Sequence, residues 1–372
     1  MGQLEQRDLT ETLSYFWHPV CTIDDVGADP SAVTLLGREL VIARLADRSW
    51  AALDDRCAHR STRLSVGTVD GCELRCAYHG WTFANDGSCT SIPSLPDGPI
   101  PTSARVGAYD VVERYGLIWV RLERPPDGIA EAAIPHSSAF DAGLHTIVGE
   151  PYTWPVSPLR RVENFVDLAH FAWVHDGSLG SRDDPIPPLP DIERHATELR
   201  FTYEPPDFDA DGSAMYGTSH YRVGMPCTVD IDFRLSSGAR RVLWMTASPV
   251  DESTCRVFWA MARDDDLDAP GERARDDEHI AFQQLVLSED EPVVCAQTPG
   301  SFPLDPAAEV SVSTDLVSNV YRRWLRELVR SYADGGVAAL ADAAVWTSAA
   351  TYNGHQAGSS QLTTFGASPS RS

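Results

Sequence analysis

The chain has 372 residues, 43% of them hydrophobic and 23% charged, the make-up of a soluble globular protein with room for two ordinary domains. A formal net charge of −24 argues against nucleic acid or an anionic membrane surface as partner. No apolar run approaches the roughly 18 residues of a membrane span, and the opening MGQLEQRDLTETL has neither the basic nor the apolar region of a signal peptide, so a cytoplasmic protein is expected.

None of the 30 basic residues is lysine, and eight cysteines are too sparse for a disulfide scaffold. From about Leu13 to Leu122, runs such as VTLLGREL, LVIARL and LIWVRL alternate with hairpin signals, VDGC and NDGS among them. They predict an all-β domain over residues 13–125, closed by the Pro- and Ala-rich junction ERPPDGIAEAAIP. Inside it lies CAHRSTRLSVGTVDGCELRCAYHGW, Cys57 to Trp81. One short loop carries Cys57 and His59, another carries Cys76 and His79, and 16 residues separate the two pairs. Four soft or borderline ligands so placed predict a metal site. Either a structural zinc takes them as a Cys2His2 tetrahedron, or a two-iron, two-sulfide cluster takes both cysteines on one iron and both histidines on the other. Spacing separates the two poorly. The discriminating feature is the pairing of one cysteine with one histidine in each loop, because a loop straddling a cluster can reach both irons.

Cys57-x-His59-Arg60 and Cys76-x2-His79-Gly80-Trp81 resemble the cluster-binding motif of Rieske proteins. The flanking YFWHPV, LLGRELVIAR, YHGWTFANDGSCTSIPS and YGLIWVRL are similar to the N-terminal domain of Rieske non-heme iron oxygenases. The resemblance implies a [2Fe-2S] cluster held by Cys57, His59, Cys76 and His79. The family often carries proline after each cysteine; Ala58 and Ala77 stand there, which bears on loop stiffness and not on ligation. Arg56, Arg60, Arg63 and Arg75 crowd the loops, a basic collar suited to an acidic ferredoxin.

A catalytic domain is expected over residues 126–350. It opens with a helical signature from Arg161 to His175, within which ENFVDLAHFAWVH supplies Asp167, His170 and His175. Asp167 and His170 are three apart and share a helix face. His170 and His175 are five apart, about 140° around an ideal helix, and converge only if the helix tightens, bulges or ends near Trp173, with Gly177 as a candidate stop. Two imidazoles with one carboxylate and open positions make an oxygen-activating ferrous site. ELRFTYE, AMYGTSHYRV, CTVDIDFRL, ARRVLWMTA and TCRVFWAMA then predict an antiparallel sheet of about five strands. A long helix follows from about Asp277 to Gln297, kinked or interrupted at Pro292. On it Phe282, Val286 and Asp290 stand at i, i+4, i+8, which selects Asp290 as the buried carboxylate and leaves Glu289 and Glu291 to solvent. The substrate pocket is expected between sheet and helix, with Met215, Tyr216, Trp244, Phe258, Trp259 and Phe282 as lining candidates. The Gly- and Ser-rich tail, residues 351–372, is expected to be disordered.

Asp-x2-His-x4-His is similar, residue for residue, to the catalytic motif of the same oxygenases, and their third ligand stands in an Asp-x2-Val-Val context that matches Asp290. The resemblance implies an α+β protein: an all-β Rieske domain, then an antiparallel sheet wrapped on a long C-terminal helix in a helix-grip-like arrangement. It implies a homotrimer in which Asp167 joins His170 of one chain to His79 of the next. Asn164 matches an amide found near the iron in some monooxygenases. Electrons would come from NAD(P)H through a flavin reductase, a ferredoxin or both. O2 would then be activated at mononuclear Fe(II), hydroxylating or O/N-demethylating a small aromatic or natural product. Ring cis-dihydroxylation is the alternative reaction, and an electron-transfer module without catalysis the alternative class.

Overall fold

The computed structural model of the chain describes residues 4–195, 197–204, 218–235, 237–265 and 272–344. The tail 351–372 and two pocket candidates, Met215 and Tyr216, lie outside the described residues. The chain divides into two compact units, one built on Leu13–Ile134 and the other on Pro135–Val345 together with the N-terminal residues up to Thr12.

The first unit is all β apart from short turns. α1 (Gln6–Leu13) belongs to the second unit but for its last residue; in the first unit strand β1 (His18–Thr22) is followed by a meander of β2 (Ser31–Leu35), β3 (Arg38–Arg44) and β4 (Trp50–Asp54). β5 (Thr68–Asp70), β6 (Glu73–Arg75), β7 (Thr82–Ala84) and β8 (Cys89–Ser91) form a small four-stranded sheet; β9 (Asp110–Arg114) and β10 (Leu117–Arg121) return to pair with β1. Both hairpin signals turn the chain as predicted: Gly71 (φ 63°) links β5 to β6, and Gly87 (φ 80°) links β7 to β8. At Gly87 a Cβ would lie 2.2 Å from the Val106 carbonyl oxygen, so no other residue fits.

Two apolar clusters hold this unit. Leu35, Leu40, Ile42, Ile118 and Val120 pack one end. Leu53, Leu64, Leu74 and Phe83 pack the other, together with Cys57 and Cys76, so the metal-motif loops sit on a core of their own. His18 is 1% exposed, with Nε2 2.9 Å from the Leu13 carbonyl. Burial pushes its pKa down to about 4, against the smaller opposing effect of that carbonyl. The unfolded chain therefore takes up a proton near pH 6.5 that the folded chain refuses until about pH 4, and stability falls as pH falls through that window. The loss should approach about 3 kcal/mol. Urea midpoints at pH 7 and pH 4.5 should differ by less in His18→Gln than in the parent; equal differences would refute the assignment.

The second unit carries an eight-stranded antiparallel sheet, three strands wider than the sequence predicts. The added strands are β11 (His145–Val148), β12 (Tyr152–Trp154) and β13 (Ile192–Arg194), short pieces whose pairing only tertiary context supplies. The predicted five are β14 (Glu198–Tyr203), β15 (Thr218–Gly224), β16 (Thr228–Arg234), β17 (Arg240–Asp251) and β18 (Thr254–Arg263). The sheet order is β11-β18-β17-β16-β15-β14-β13, with β12 also on β18. β17 and β18 are buried along nearly their whole length, which marks strands covered on both faces. α2 (Pro158–Val166) and α3 (Phe171–Val174) precede the inner strands; α4 (Glu272–Val294) and α5 (Leu316–Ala344, broken at Gly336) follow them. Pro292 falls in the last turn of α4, where it costs one backbone bond, and the helix ends two residues later without an internal break.

Candidate functional site

In the first unit the two metal-motif loops are built alike. The Cys57 amide donates to the Thr62 carbonyl at 2.8 Å and the Ser61 amide to the Cys57 carbonyl at 3.0 Å. The Cys76 amide donates to Trp81 and the Gly80 amide to Cys76 at the same two distances. The fifth residue of each loop is left-handed, Ser61 at φ 58° and Gly80 at φ 72°. Both thiols are buried at 2% exposure and lie against one another, while His79 is exposed. The His59 and His79 rings are 4.5 Å apart, and the buried His59 Nδ1 has no hydrogen-bond partner among the described residues. Two paired thiols and an orphaned imidazole nitrogen fit an iron–sulfur cluster. Arg56, Arg60, Arg63 and Arg75 are all exposed; Arg63 pairs with Glu39 and Arg75 with Asp70, so no member of the collar packs inside.

In the second unit the helix predicted from Arg161 to His175 is two helices. α2 starts at Pro158, capped by the Ser157 hydroxyl, and stops at Val166. Asp167 is extended (φ −78°, ψ 123°) and its carboxylate takes the Ala169 amide at 2.9 Å, a local bond that competes with helix continuation. One helical turn, α3, then ends at His175, and Gly177 (φ 86°) turns the chain away. Asp167 and His170 therefore meet across a turn and not along a helix face, with Oδ2 3.4 Å from Nδ1.

α4 presents Asp290, 4% exposed, to both histidines. The Nε2 atoms of His175 and His170 lie 3.2 and 3.6 Å from Asp290 Oδ1. The ligand-type atoms of these three residues all fall within 4.8 Å of one another. Burial raises the Asp290 pKa, but His175, Arg161 and His170 outweigh it and hold the group below the usual carboxylate range. Burial likewise works against the His175 cation, yet Asp290 and Glu289 keep the ring above the ordinary histidine value. Two imidazoles and one carboxylate converging on one point fit a mononuclear iron.

The buried stripe of α4 is Gln283, Val286, Asp290 and Val294, so Asp290 is placed as expected while Phe282 is only half buried. Glu291 is exposed, but Glu289 is not left to solvent: its Oε2 lies 2.7 Å from His175 Nδ1 and accepts from the Ser178 hydroxyl at 2.8 Å. It is the carboxylate that fixes the His175 ring, as Asp167 faces that of His170. The helical spacing pointed it away because His175 reaches α4 from beside Asp290. Glu289→Gln should weaken Fe(II) binding about tenfold, measured by anaerobic titration; unchanged affinity would remove Glu289 from the site.

Asn164, on α2, donates through Nδ2 to Asp290 Oδ1 at 3.1 Å and lies 3.4 Å from His170 Nε2. A cavity opens beside these groups, walled by Phe165, Phe171, Leu179, Ile231, Phe233 and Leu243. Tyr203 and Tyr221 add their rings, and Gln283 adds the amide of a side chain 3% exposed. The lining predicted from sequence took the other face of the strands. Ile231 pairs with Leu243 and lines the cavity, whereas the next pair, Asp230 and Trp244, faces away, Trp244 meeting the Phe140 ring at 5.9 Å. Phe258 and Trp259 are buried in β18 and do not line it either. A one-residue choice on a strand exchanges the two faces.

The Rieske [2Fe-2S] domain family matches residues 16–109, and the vanillate O-demethylase oxygenase C-terminal domain family matches residues 154–331. Together they define a two-domain iron oxygenase. The chain is 40% identical over 347 residues to the methylxanthine N1-demethylase NdmA of Pseudomonas putida, covering 91% of this chain and 95% of that protein. It is 39% identical to the methylxanthine N3-demethylase NdmB of the same organism, over 87% of this chain and 91% of that one. The structure of NdmA with caffeine superimposes with a TM-score of 0.83 over 90% of this chain and 96% of that chain. The oxidoreductase NdmD, also from Pseudomonas putida, is 43% identical over 172 residues, 44% of this chain and 29% of that protein. The chain belongs to the Rieske non-heme iron oxygenases, as an α subunit of the demethylase branch. It is a monooxygenase with a [2Fe-2S] cluster and a mononuclear iron, and a reductase supplies it with electrons from NAD(P)H for turnover of a small-molecule substrate. Among the described residues no helix is long and apolar enough to cross a membrane.

Proposed function

We propose that this chain removes an N-methyl group from a methylxanthine or a similarly flat, neutral N-methylated heterocycle. The observation that carries the reading is the cavity beside His170, His175 and Asp290: apolar and aromatic walls that also carry one buried amide, Gln283. Such a pocket stacks a planar ring and offers it one donor and one acceptor. The kinship to two methylxanthine demethylases supports the same substrate class.

Cys57, His59, Cys76 and His79 hold the cluster, and His170, His175 and Asp290 hold the iron. When bound, the iron supplies the O2 activation that inserts one oxygen atom into a methyl C–H bond. Overall, the N-methyl heterocycle, O2, two electrons and two protons give the demethylated N–H heterocycle, formaldehyde and water. Gln283 orients the heterocycle, Phe165, Phe171 and Phe233 keep water from the reacting carbon, and Glu289 and Asp167 hold the two imidazoles. Asp167 is also suited to join His170 to His79 of the partner subunit in a homotrimer, and the exposed arginine collar to dock an acidic ferredoxin or ferredoxin-like reductase domain. The cytoplasm, where NAD(P)H is available, is the matching compartment.

The test is turnover of caffeine with NAD(P)H and a reductase, reading formaldehyde against O2 consumed. One formaldehyde per O2 is the expected result. NAD(P)H oxidation without formaldehyde would move the reading to another substrate, and a product carrying both atoms of labelled O2 would mean cis-dihydroxylation.

A further inference from the structure

Arg161 is the most heavily engaged side chain beside this site, and neither iron ligation nor substrate binding uses it. It is 0% exposed, on α2, and its guanidinium lies over three rings, 4.6 Å from Phe165, 4.7 Å from Trp154 and 5.9 Å from Tyr152. Its Nε donates to the Tyr152 hydroxyl at 2.9 Å. Its Nη1 donates to Asn164 Oδ1 and stands 3.8 Å from Asp290 Oδ2, while Nη2 is buried without a hydrogen-bond partner among the described residues. The cation is thus held by an aromatic cage, with Asp290 as its ion-pair partner.

A guanidinium has donors only, so the Asn164 atom facing it must be the carbonyl oxygen. The amide then has one orientation left. Its NH2 points to the other side, at Asp290 Oδ1 and toward His170 Nε2. An amide NH2 has no lone pair for a metal. We infer that Arg161 is a positioning residue that locks Asn164 as a hydrogen-bond donor, so that Asn164 is not an iron ligand. The same guanidinium draws Asp290 Oδ2 away, leaving Oδ1 as the one oxygen turned to the histidines. Three protein atoms then face the metal, and the remaining positions stay open for O2.

This rests on the assignment of His170, His175 and Asp290 to the iron, and the experiment separates the two. Co(II) is loaded into the mononuclear site of the full chain with its cluster oxidised, a diamagnetic state, and read by low-temperature EPR. Loss of the Co(II) signal in His175→Ala establishes the site; Co(II) binding that survives that change would overturn the iron-site assignment itself. Asn164→Ala should keep the coordination number of the parent, with only the small shift in the EPR signal that losing the hydrogen bond to Asp290 Oδ1 brings. Arg161→Met frees the amide to turn its oxygen inward and should shift the signal, and adding Asn164→Ala to Arg161→Met should restore the parent coordination number. Arg161→Lys, still donor-only, should resemble the parent. An EPR signal of lower coordination number in Asn164→Ala alone would overturn the inference, as would a change in Arg161→Met that persists in the double variant, since that would be a general packing effect. Should Arg161→Met fail to fold, the Asn164→Ala spectrum still decides.

Discussion

His175→Ala should yield protein with about two irons and two sulfides per chain, where the parent holds about three irons and two sulfides. The two cofactors draw on different units. Cys57, His59, Cys76 and His79 belong to the unit of Leu13–Ile134, whose cluster loops sit on their own apolar core, so nothing in that core changes when His175 is removed. In the second unit His175 is one of three groups converging on a point, and it is the most buried of them, at 1% exposure. Truncation leaves Asp290 and Glu289 without the ring that stands between them, which adds carboxylate repulsion to the lost ligand. Turnover should fall by at least about 10³-fold, or about 4 kcal/mol on the barrier, while the cluster still accepts electrons from the reductase. Iron and acid-labile sulfide analysis beside formaldehyde production checks both halves. Full iron content in the variant would mean that the metal sits elsewhere.

Much of this was legible in the chain because the signals were local. Hairpin glycines, alternating strands and ligand pairs in short loops each depend on a few neighbouring residues. His170 and His175 could be read as convergent from spacing and a stop glycine. Asp290 was legible because a carboxylate in line with Val286 must have a partner. What escaped depended on tertiary context. The break at Asp167 comes from a side chain bonding to the Ala169 amide in competition with the helix. Glu289 looked solvated because the helical stripe gives direction around α4 and says nothing of a ring arriving from α3. The pocket residues were misread because β17 and β18 are buried on both faces, and alternation names no inside when both sides are covered. Gln283 carried the one available clue: a polar residue on the buried stripe of a helix, one position from the phenylalanine that the sequence reading favoured.

Gln283→Leu should move stability and activity in opposite directions. The amide is 3% exposed and lines the cavity, so in the resting protein it is a largely desolvated polar group that leucine would replace at similar volume. Removing it should raise stability by about 1 kcal/mol, read as a higher urea midpoint. In the substrate complex the balance reverses. There the amide binds ring polar atoms that apolar walls cannot satisfy, and a leucine leaves those atoms buried and unpaired. kcat/KM should fall about 10²-fold, close to 3 kcal/mol, and NAD(P)H oxidation should uncouple from formaldehyde because the methyl carbon is no longer held toward the metal. A purely structural glutamine predicts the reverse on the first measurement: the variant would lose stability, and activity would fall only with it. A more stable protein that has lost substrate selectivity would place Gln283 in the binding site; a less stable one with unchanged kcat/KM would remove it.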